Sequence, residues 1–284
     1  MFDIYLLEAV INGLLLGGVL ALLALGLNLI FGVIDVVWIA YADLVMCGMY
    51  AVYWLHFYGW PLWAASIAAI AAVAVLGFLV HVLIIAPVLR AAPINQLLAT
   101  GGLLFFLQSF TTLLFGTDFR NIGVRLPIIE MGDIFISFAR LLAFGFALVG
   151  AVALYVFLKR SYLGVAIRAI SQDSEIMGLM GVDQRRIYLV TSVIGGALAG
   201  LGGCLLVLQY DVHPFLGNTF GPLIFMICVL GGLGNMIGGF VASFIISQII
   251  SIGGYYYSTE WAYVLAFTLF IVLMFIRPRG ILAR

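Results

Sequence analysis

The chain has 284 residues, of which 65% are hydrophobic and only 8% charged, against roughly 25% charged in a soluble domain. Its 12 basic and 12 acidic residues cancel to a net charge of zero, and mean hydropathy is +1.27. So few polar side chains exclude a water-soluble fold and a disordered chain, and no basic stretch is dense enough to hold nucleic acid.

What remains is an all-α integral membrane protein, read as a single transmembrane domain over 1–284. A hydrocarbon core of ~30 Å takes about 20 apolar residues per helix. Apolar stretches fall at 9–34, 44–57, 61–89, 97–116, 138–158, 187–209, 219–235, 236–252 and 262–276. Some are short or interrupted by glycine, so about eight to ten spans are expected, some discontinuous or re-entrant. The runs are continuous rather than alternating, which argues against a β-barrel. The first lacks a basic leader and continues past residue 30, so it reads as an uncleaved first span.

Between the first two runs, Asp35 and Asp43 bracket Trp38 and Tyr41. A charge at the bilayer centre costs about 2.5–3.5 kcal/mol even on the lenient scale. Two readings fit: a short interfacial turn with ordinary aromatic anchors, or a discontinuous helix lining a solute path. Arg90, before Ala91-Ala92-Pro93, marks a turn on the cytoplasmic side. Segment 117–137 carries Arg120, Arg125, Asp118, Glu130 and Asp133. Its Ile128-Ile129 and Ile134…Ile136 flank Met131-Gly132-Asp133, the pattern of a short external hairpin.

The 159–186 loop holds Lys159 (the only lysine), Arg160, Arg168, Arg185 and Arg186, and the tail holds Arg277, Arg279 and Arg284. Loops rich in Lys and Arg stay in the cytoplasm. The four runs between them put both on one side, with 117–137 and the N-terminus (Asp3, Glu8) opposite. Within the loop, Ile167, Ile170, Ser174 and Met177 follow a 3–4 spacing, which predicts an amphipathic helix over 164–181 that docks on a soluble partner. Ser171 with Ser174-Glu175 offers a second start signal and Gly181 a stop.

Asp211 to Gly221 (with His213, Pro214, Asn218 and Thr219) leads to the cluster Gly231-Gly232-Leu233-Gly234-Asn235 and Gly238-Gly239. A half-helix starting near Asn218 would aim backbone N–H groups at a carboxylate-bearing solute. The glycine cluster itself reads either as a crowded helix–turn–helix or as a second broken helix. Gly13, Gly17, Gly18, Gly195, Gly196, Gly200, Gly202 and Gly203 read mainly as helix-packing positions. Cys47, Cys204 and Cys228 read as small buried hydrophobes. No metal spacing, no nucleophile–base pair and no G-x-x-x-x-G-K-[ST] phosphate loop occurs, so no catalytic residue is expected and ATP hydrolysis falls to other chains.

At the 159–186 loop the sequence resembles a known family. Gly164…Arg168-Ala169…Gln172-Asp173…Gly181-Val182-Asp183 is similar to the signature of the permeases of branched-chain amino acid and urea/amide ABC importers. More narrowly, it resembles their shorter, H-type subunit. Four further pieces agree in order: Asn12-Gly13-Leu14 with Leu25 to Val33, then Ala99-Thr100-Gly101-Gly102, then Leu230 to Gly234, and Arg277-Pro278-Arg279-Gly280-Ile281-Leu282. The resemblance implies the ABC importer transmembrane fold in a bacterial inner membrane. It also implies a second homologous permease, two ATPases that carry the ATP and magnesium, and a periplasmic substrate-binding protein.

The resemblance makes 164–181 the ATPase-coupling segment, through Gly164, Arg168, Ala169, Ile170, Asp173, Met177 and Gly181. It places the solute path at Trp38, Tyr41, Asp43, Thr100, Asn218 and Thr219. Gly178 replaces the alanine usual in the loop. The family's N-F-A-H-G-[DE] segment reads Trp38 to Asp43 here, so the usual Asn and His become aromatic. The resemblance implies an amino acid or related small polar or carboxylate solute, and the change points to one with a flat or aromatic part, away from the usual aliphatic amino acids. A rival is an ion-coupled secondary transporter that uses Asp35 or Asp43 as a relay.

The charge asymmetry generates a direct test of sidedness. In a background without Cys47, Cys204 and Cys228, single cysteines are placed at Asp118 and at Gln172. In intact cells an impermeant thiol reagent should label position 118 and spare position 172; labelling of 172 alone inverts the topology.

Overall fold

The computed structural model describes residues 4–124, 127–131, 134–277 and 280–281. Asp3, Arg125, Gly132, Asp133, Pro278, Arg279, Leu282 and Arg284, named above, lie outside them. The elements are α1 (Ile4–Ile34), α2 (Tyr41–Phe57), α3 (Leu62–Val80), a π-turn (His81–Ile85) and α4 (Ala86–Val88), then α5 (Pro93–Phe115). After the hairpin β1 (Ile128–Met131) and β2 (Ile134–Ser137) come α6 (Phe138–Arg160), α7 (Tyr162–Ile170) and α8 (Ser174–Leu179). The chain ends with α9 (Gln184–Leu206), α10 (Leu216–Gly231), α11 (Met236–Tyr256) and α12 (Thr259–Ile276).

Among the described residues, 7 helices are long and apolar enough to cross a membrane. That is fewer full-length spans than the apolar runs predict. The shortfall is α2, with 17 residues, and α10, with 16, which cover less of the bilayer than a full span of about 20 residues.

The helix that is apolar on every face lies at the centre. In α1, 83% of the apolar window is buried, whereas in α12 only 11% is; α12 therefore faces lipid or another subunit. Around α1 pack α6, α9, α10 and α11. Hydrogen bonds also tie α1 to α11, from Gln248 Nε2 to the Val10 carbonyl (3.0 Å) and from Ser251 Oγ to the Ala9 carbonyl (2.6 Å).

Hydrocarbon gives no hydrophobic drive for helix association, so close approach must supply it. A Cβ on Gly196 would meet the Val73 carbonyl at 2.8 Å, one on Gly77 the Ser192 carbonyl at 2.8 Å, and one on Gly203 the Val45 carbonyl at 2.6 Å. All eight intra-span glycines singled out above meet a neighbouring helix, Gly196, Gly200 and Gly203 at its backbone and the other five at its side chains. None breaks a helix.

Pairing of helix ends defines the two ends of the bundle. Antiparallel packing sets Ser66 of α3 beside Cys204 of α9 and Gly77 beside Ser192. One end thus gathers the C-termini of α1, α4 and α6, the α7–α8 segment and the α10–α11 turn. There the Ile281 N–H donates to the Leu230 carbonyl (2.8 Å). The opposite end holds the hairpin, whose register is Ile128↔Ser137 to Met131↔Ile134. There Arg120 and Val212 exchange backbone hydrogen bonds of 3.0 and 2.7 Å. Helices α9 to α12 alternate direction, so the basic loop and the tail share an end.

The contact at Gly203 yields a stability prediction. Gly203→Val drives a branched side chain into the α2 backbone, and overpacking of this kind costs about 1–3 kcal/mol. The thermal midpoint of the detergent-solubilised chain should fall by several degrees. Gly145→Ala, on an exposed face with nothing within 4 Å, should leave it unchanged or raise it. Equal midpoints for Gly203→Val and the parent would refute the contact.

Candidate functional site: a solute cavity and a docking face

α1 stops where the Asp35 N–H bonds to the Phe31 carbonyl (2.9 Å) and Asp35 adopts φ 57°. The chain then runs irregularly through Val36–Ala40 before α2 begins. The Tyr41 hydroxyl lies against the Gly195 carbonyl (3.4 Å), near the middle of α9, so α2 starts deep in the bundle. This is the discontinuous helix, not the interfacial turn. Irregular backbone at that depth must find partners inside the protein. Thr100 Oγ1 of α5 supplies one, 3.0 Å from the Val37 carbonyl.

Beside this segment lies a cavity of 540 Å³, within the range of about 300–1,000 Å³ usual for small-molecule sites. Its wall is largely apolar: Leu27, Ile39, Leu104, Ile224 and Phe225, with Trp38 and Tyr41. Gly217 and Asn218 complete it from the first turn of α10. Trp38 and Tyr41 are each 1% exposed. The Tyr41 hydroxyl is already committed to α9, while Trp38 Nε1 has no partner among the described residues.

Asp43, fully buried, lies just behind that wall. It occupies the first turn of α2, where the helix dipole favours a negative charge by about 0.3–1 kcal/mol. Gln108 Nε2 donates to Asp43 Oδ1 (3.0 Å) and to Asn218 Oδ1 (2.9 Å), joining α2, α5 and α10. Asp43 Oδ2 has no partner among the described residues. Only a glycine at 217 lets α10 approach, since a side chain there would collide with the Asp43 carboxylate.

Of the residues expected along the path, Trp38, Tyr41 and Asn218 thus line the cavity, Asp43 backs it and Thr100 braces it. Thr219 is exposed on α10 and lines no part of it. Asp35 is exposed at the end of α1 and stands apart from the Asp43 network. Sequence reasoning missed Gln108, although a lone amide in an apolar run must find a partner in hydrocarbon. It also missed the role of Asn28. The Asn28 Oδ1 accepts from the Gly234 N–H (3.2 Å) and holds the α10–α11 turn onto α1. That turn uses positive φ at Gly232 and Gly234, so the glycine cluster is the crowded helix–turn–helix.

At the hairpin end of the bundle a loop cover joins the segments after α5 and before α10. The Arg120 guanidinium lies 5.1 Å from the Trp54 ring centre and donates to the Phe115 carbonyl (2.6 Å). Asn121 Nδ2 donates to Asp211 Oδ1 (2.7 Å), and Phe119 contacts the His213 ring at 4.7 Å. Burial holds the His213 imidazole below its ordinary range, partly opposed by Asp211, so this cover is neutral at its histidine near pH 7.

The basic segment differs from its expected form. It is two helices rather than one, because the Asp173 carboxylate caps α8 by accepting from the Glu175 and Ile176 N–H groups (both 3.0 Å). Gly181, at φ 84°, follows the end of α8. The stripe also faces the other way. Ile167 and Ile170 are buried in the chain's own core, and Met177 packs against it. Gly164 is buried against the last turn of α6, Ala169 is half-buried, and Arg168 is exposed. The outward apolar face is instead Tyr162 (82% exposed), Val165, Ile176, Leu179 (88%) and Met180 (76%).

A family profile described as "Branched-chain amino acid transport system / permease component" matches residues 9–274. The permease protein BraD of the high-affinity branched-chain amino acid transport system of Pseudomonas aeruginosa is 30% identical over 98% of this chain and 96% of its own length. LivH of Escherichia coli K12 is 29% identical over 99% and 96%, and its permease LivM is 26% identical over 92% and 67%. Among solved structures, PsaBC from Streptococcus pneumoniae in complex with Fab shares the fold, at 12% identity and TM-score 0.53 over 94% of this chain and 91% of that one. The profile and the relatives place this chain in the branched-chain amino acid transport permease family, as a multi-pass ABC transporter permease of the shorter H type.

Proposed function

We propose that this chain forms the transmembrane path for a branched-chain amino acid, as one permease subunit of a binding-protein-dependent importer in a bacterial inner membrane. The observation that carries this reading is the buried Asp43 carboxylate at the wall of a 540 Å³ apolar cavity. A zwitterion with an aliphatic side chain matches such a site at both ends. Its ammonium suits the carboxylate, its side chain suits Leu27, Ile39, Leu104 and Ile224, and the first turns of α2 and α10 converge there with their positive dipole ends. The substrates named for LivH and BraD support an aliphatic solute over the aromatic one expected from Trp38 and Tyr41. Both rings are enclosed, and the tyrosine hydroxyl is spent on α9.

The partners follow from the family and the surface: a second homologous permease such as the LivM type, two ATPases, and a periplasmic binding protein. The ATPase seats on Tyr162, Val165, Ile176, Leu179 and Met180, because this exposed apolar cluster beside Arg168 and the basic loop has no cover among the described residues. Energy then comes from ATP on those partners, not from an ion relay through Asp35 or Asp43.

Reconstitution tests the reading. Proteoliposomes holding this chain, its partner permease and ATPases, with binding protein added, should take up leucine only with ATP inside and should be blocked by vanadate. Leucine uptake by this chain alone, driven by a proton or sodium gradient, would establish the secondary transporter instead.

The docking face gives a second prediction. Leu179→Asp or Met180→Asp should leave the permease folded in the membrane. Each places a charge in an apolar groove, at a cost of several kcal/mol if unpaired, so ATPase stimulation and uptake should fall together. Ile170→Asp should instead destabilise the permease itself, read as loss of monodisperse protein on size exclusion. Normal uptake by both docking variants would remove the assignment.

A further inference from the structure

Gln108 is 5% exposed in an otherwise apolar stretch of α5. Its amide nitrogen uses both hydrogens on residues from two other helices, Asp43 Oδ1 at 3.0 Å and Asn218 Oδ1 at 2.9 Å. A side-chain amide nitrogen has two hydrogens, whereas an ammonium has three. The junction offers a third acceptor, because Asp43 Oδ2 is buried and has no partner among the described residues. The amide also brings no charge, so it leaves the buried carboxylate uncompensated, a costly state in a membrane. The junction thus holds three acceptors and one negative charge, of which the amide nitrogen satisfies two acceptors and no charge.

From this mismatch, and resting on the amino acid transport reading above, we infer that Asp43 and Asn218 form a subsite for the primary ammonium of the solute, and that the Gln108 amide stands in for that ammonium when the solute is absent. Asn218 and Gly217 line the cavity, so the subsite opens onto the space that would hold the aliphatic side chain. An arriving ammonium fills all three acceptors, neutralises Asp43 and displaces Gln108. Displacement cuts the hydrogen bonds that join α5 to α2 and α10. Occupancy of the site thereby loosens the three-helix junction at the depth where the path must open. Gln108 is a positioning residue in this scheme, and Asp43 and Asn218 are the ligands.

The scheme separates from a purely structural bracket by the sign of two substitutions. Gln108→Met keeps the length of the side chain and removes both donors, leaving the subsite vacant for solute. Gln108→Lys carries its own ammonium into the subsite and should hold it against the solute. Leucine uptake is measured in the reconstituted importer with wild-type binding protein, alongside the thermal midpoint of each complex. Gln108→Lys should take up leucine at least about tenfold more slowly than Gln108→Met, a fold-change equal to roughly 1.4 kcal/mol, yet melt higher than Gln108→Met. Asp43→Asn, which removes the charge and keeps a hydrogen-bonding side chain, should also lose about tenfold.

Equal loss in the methionine and lysine variants, from failed assembly or failed transport, overturns the subsite, as does uptake unaffected by Asp43→Asn. Failure of the lysine variant alone to assemble overturns it too, since a paired ammonium should be accommodated. These results are distinct from failure of the transport reading, which would show as leucine uptake that persists when this chain is left out of the liposomes.

Discussion

Hydrocarbon offers no water to an exposed N–H or C=O, and this chain nonetheless carries irregular backbone within its membrane-spanning bundle. The structure follows from how those groups are satisfied. Between α1 and α2 the Val37 carbonyl is met by Thr100, and the start of α2 is pinned by Tyr41 on the Gly195 carbonyl. Between α10 and α11 the Gly234 N–H is met by Asn28, and the Gly238 N–H by Asn235. The break before α2 is thereby braced from the continuous helices α5 and α9, and the α10–α11 turn at the end of the bundle is held onto α1. Such bracing makes a short helix tolerable, and beside the break it leaves a cavity that opens on the chain's surface near Asn218 and Phe225.

The glycines serve the same end. Close backbone contact along α3–α9 and α2–α9 gives the scaffold rigidity without large side chains, as packing in lipid requires. A rigid frame lets the few polar groups be held at fixed separations. The collision that any side chain at Gly217 would make with Asp43 shows how this reaches the site. Were α10 pushed away there, the amide bridge from Gln108 could not span both partners.

Much of this was legible in the sequence, for identifiable reasons. Asp35 and Asp43 between two apolar runs marked the break near α2, because charge at that depth is expensive. The ordered pieces from Asn12 to Ile281 marked the family. Periodicity was less complete: the spacing of Ile167, Ile170 and Met177 correctly identified a buried face but carried no statement of what buries it. It turned out to be the chain's own core, which leaves Leu179 and Met180 outward. Aromatic residues at 38 and 41 were visible, but the commitment of the Tyr41 hydroxyl was not, since it depends on Gly195, more than a hundred and fifty residues away. Gln108 was hidden by its neighbours, because a single amide scarcely shifts the hydropathy of a long apolar run.

The energetic balance at the junction suits a transporter better than a receptor. A carboxylate fully satisfied by arginine would be stable and inert, and one left bare would not stay ionised in the membrane. A neutral amide lies between these limits: it offers hydrogen bonds worth about 1.5–3 kcal/mol to a charged group but leaves the charge itself unmet. A solute ammonium can then displace it with a modest net gain, since it breaks bonds as it forms them. Modest gain is what passage demands, because a path that binds its solute too tightly would not release it. At the hairpin end, Arg120 with Val212 and Asn121 with Asp211 likewise join two segments through loop contacts alone. Affinity in the path and the loop contacts at the hairpin end thus both rest on interactions weak enough to be reversed.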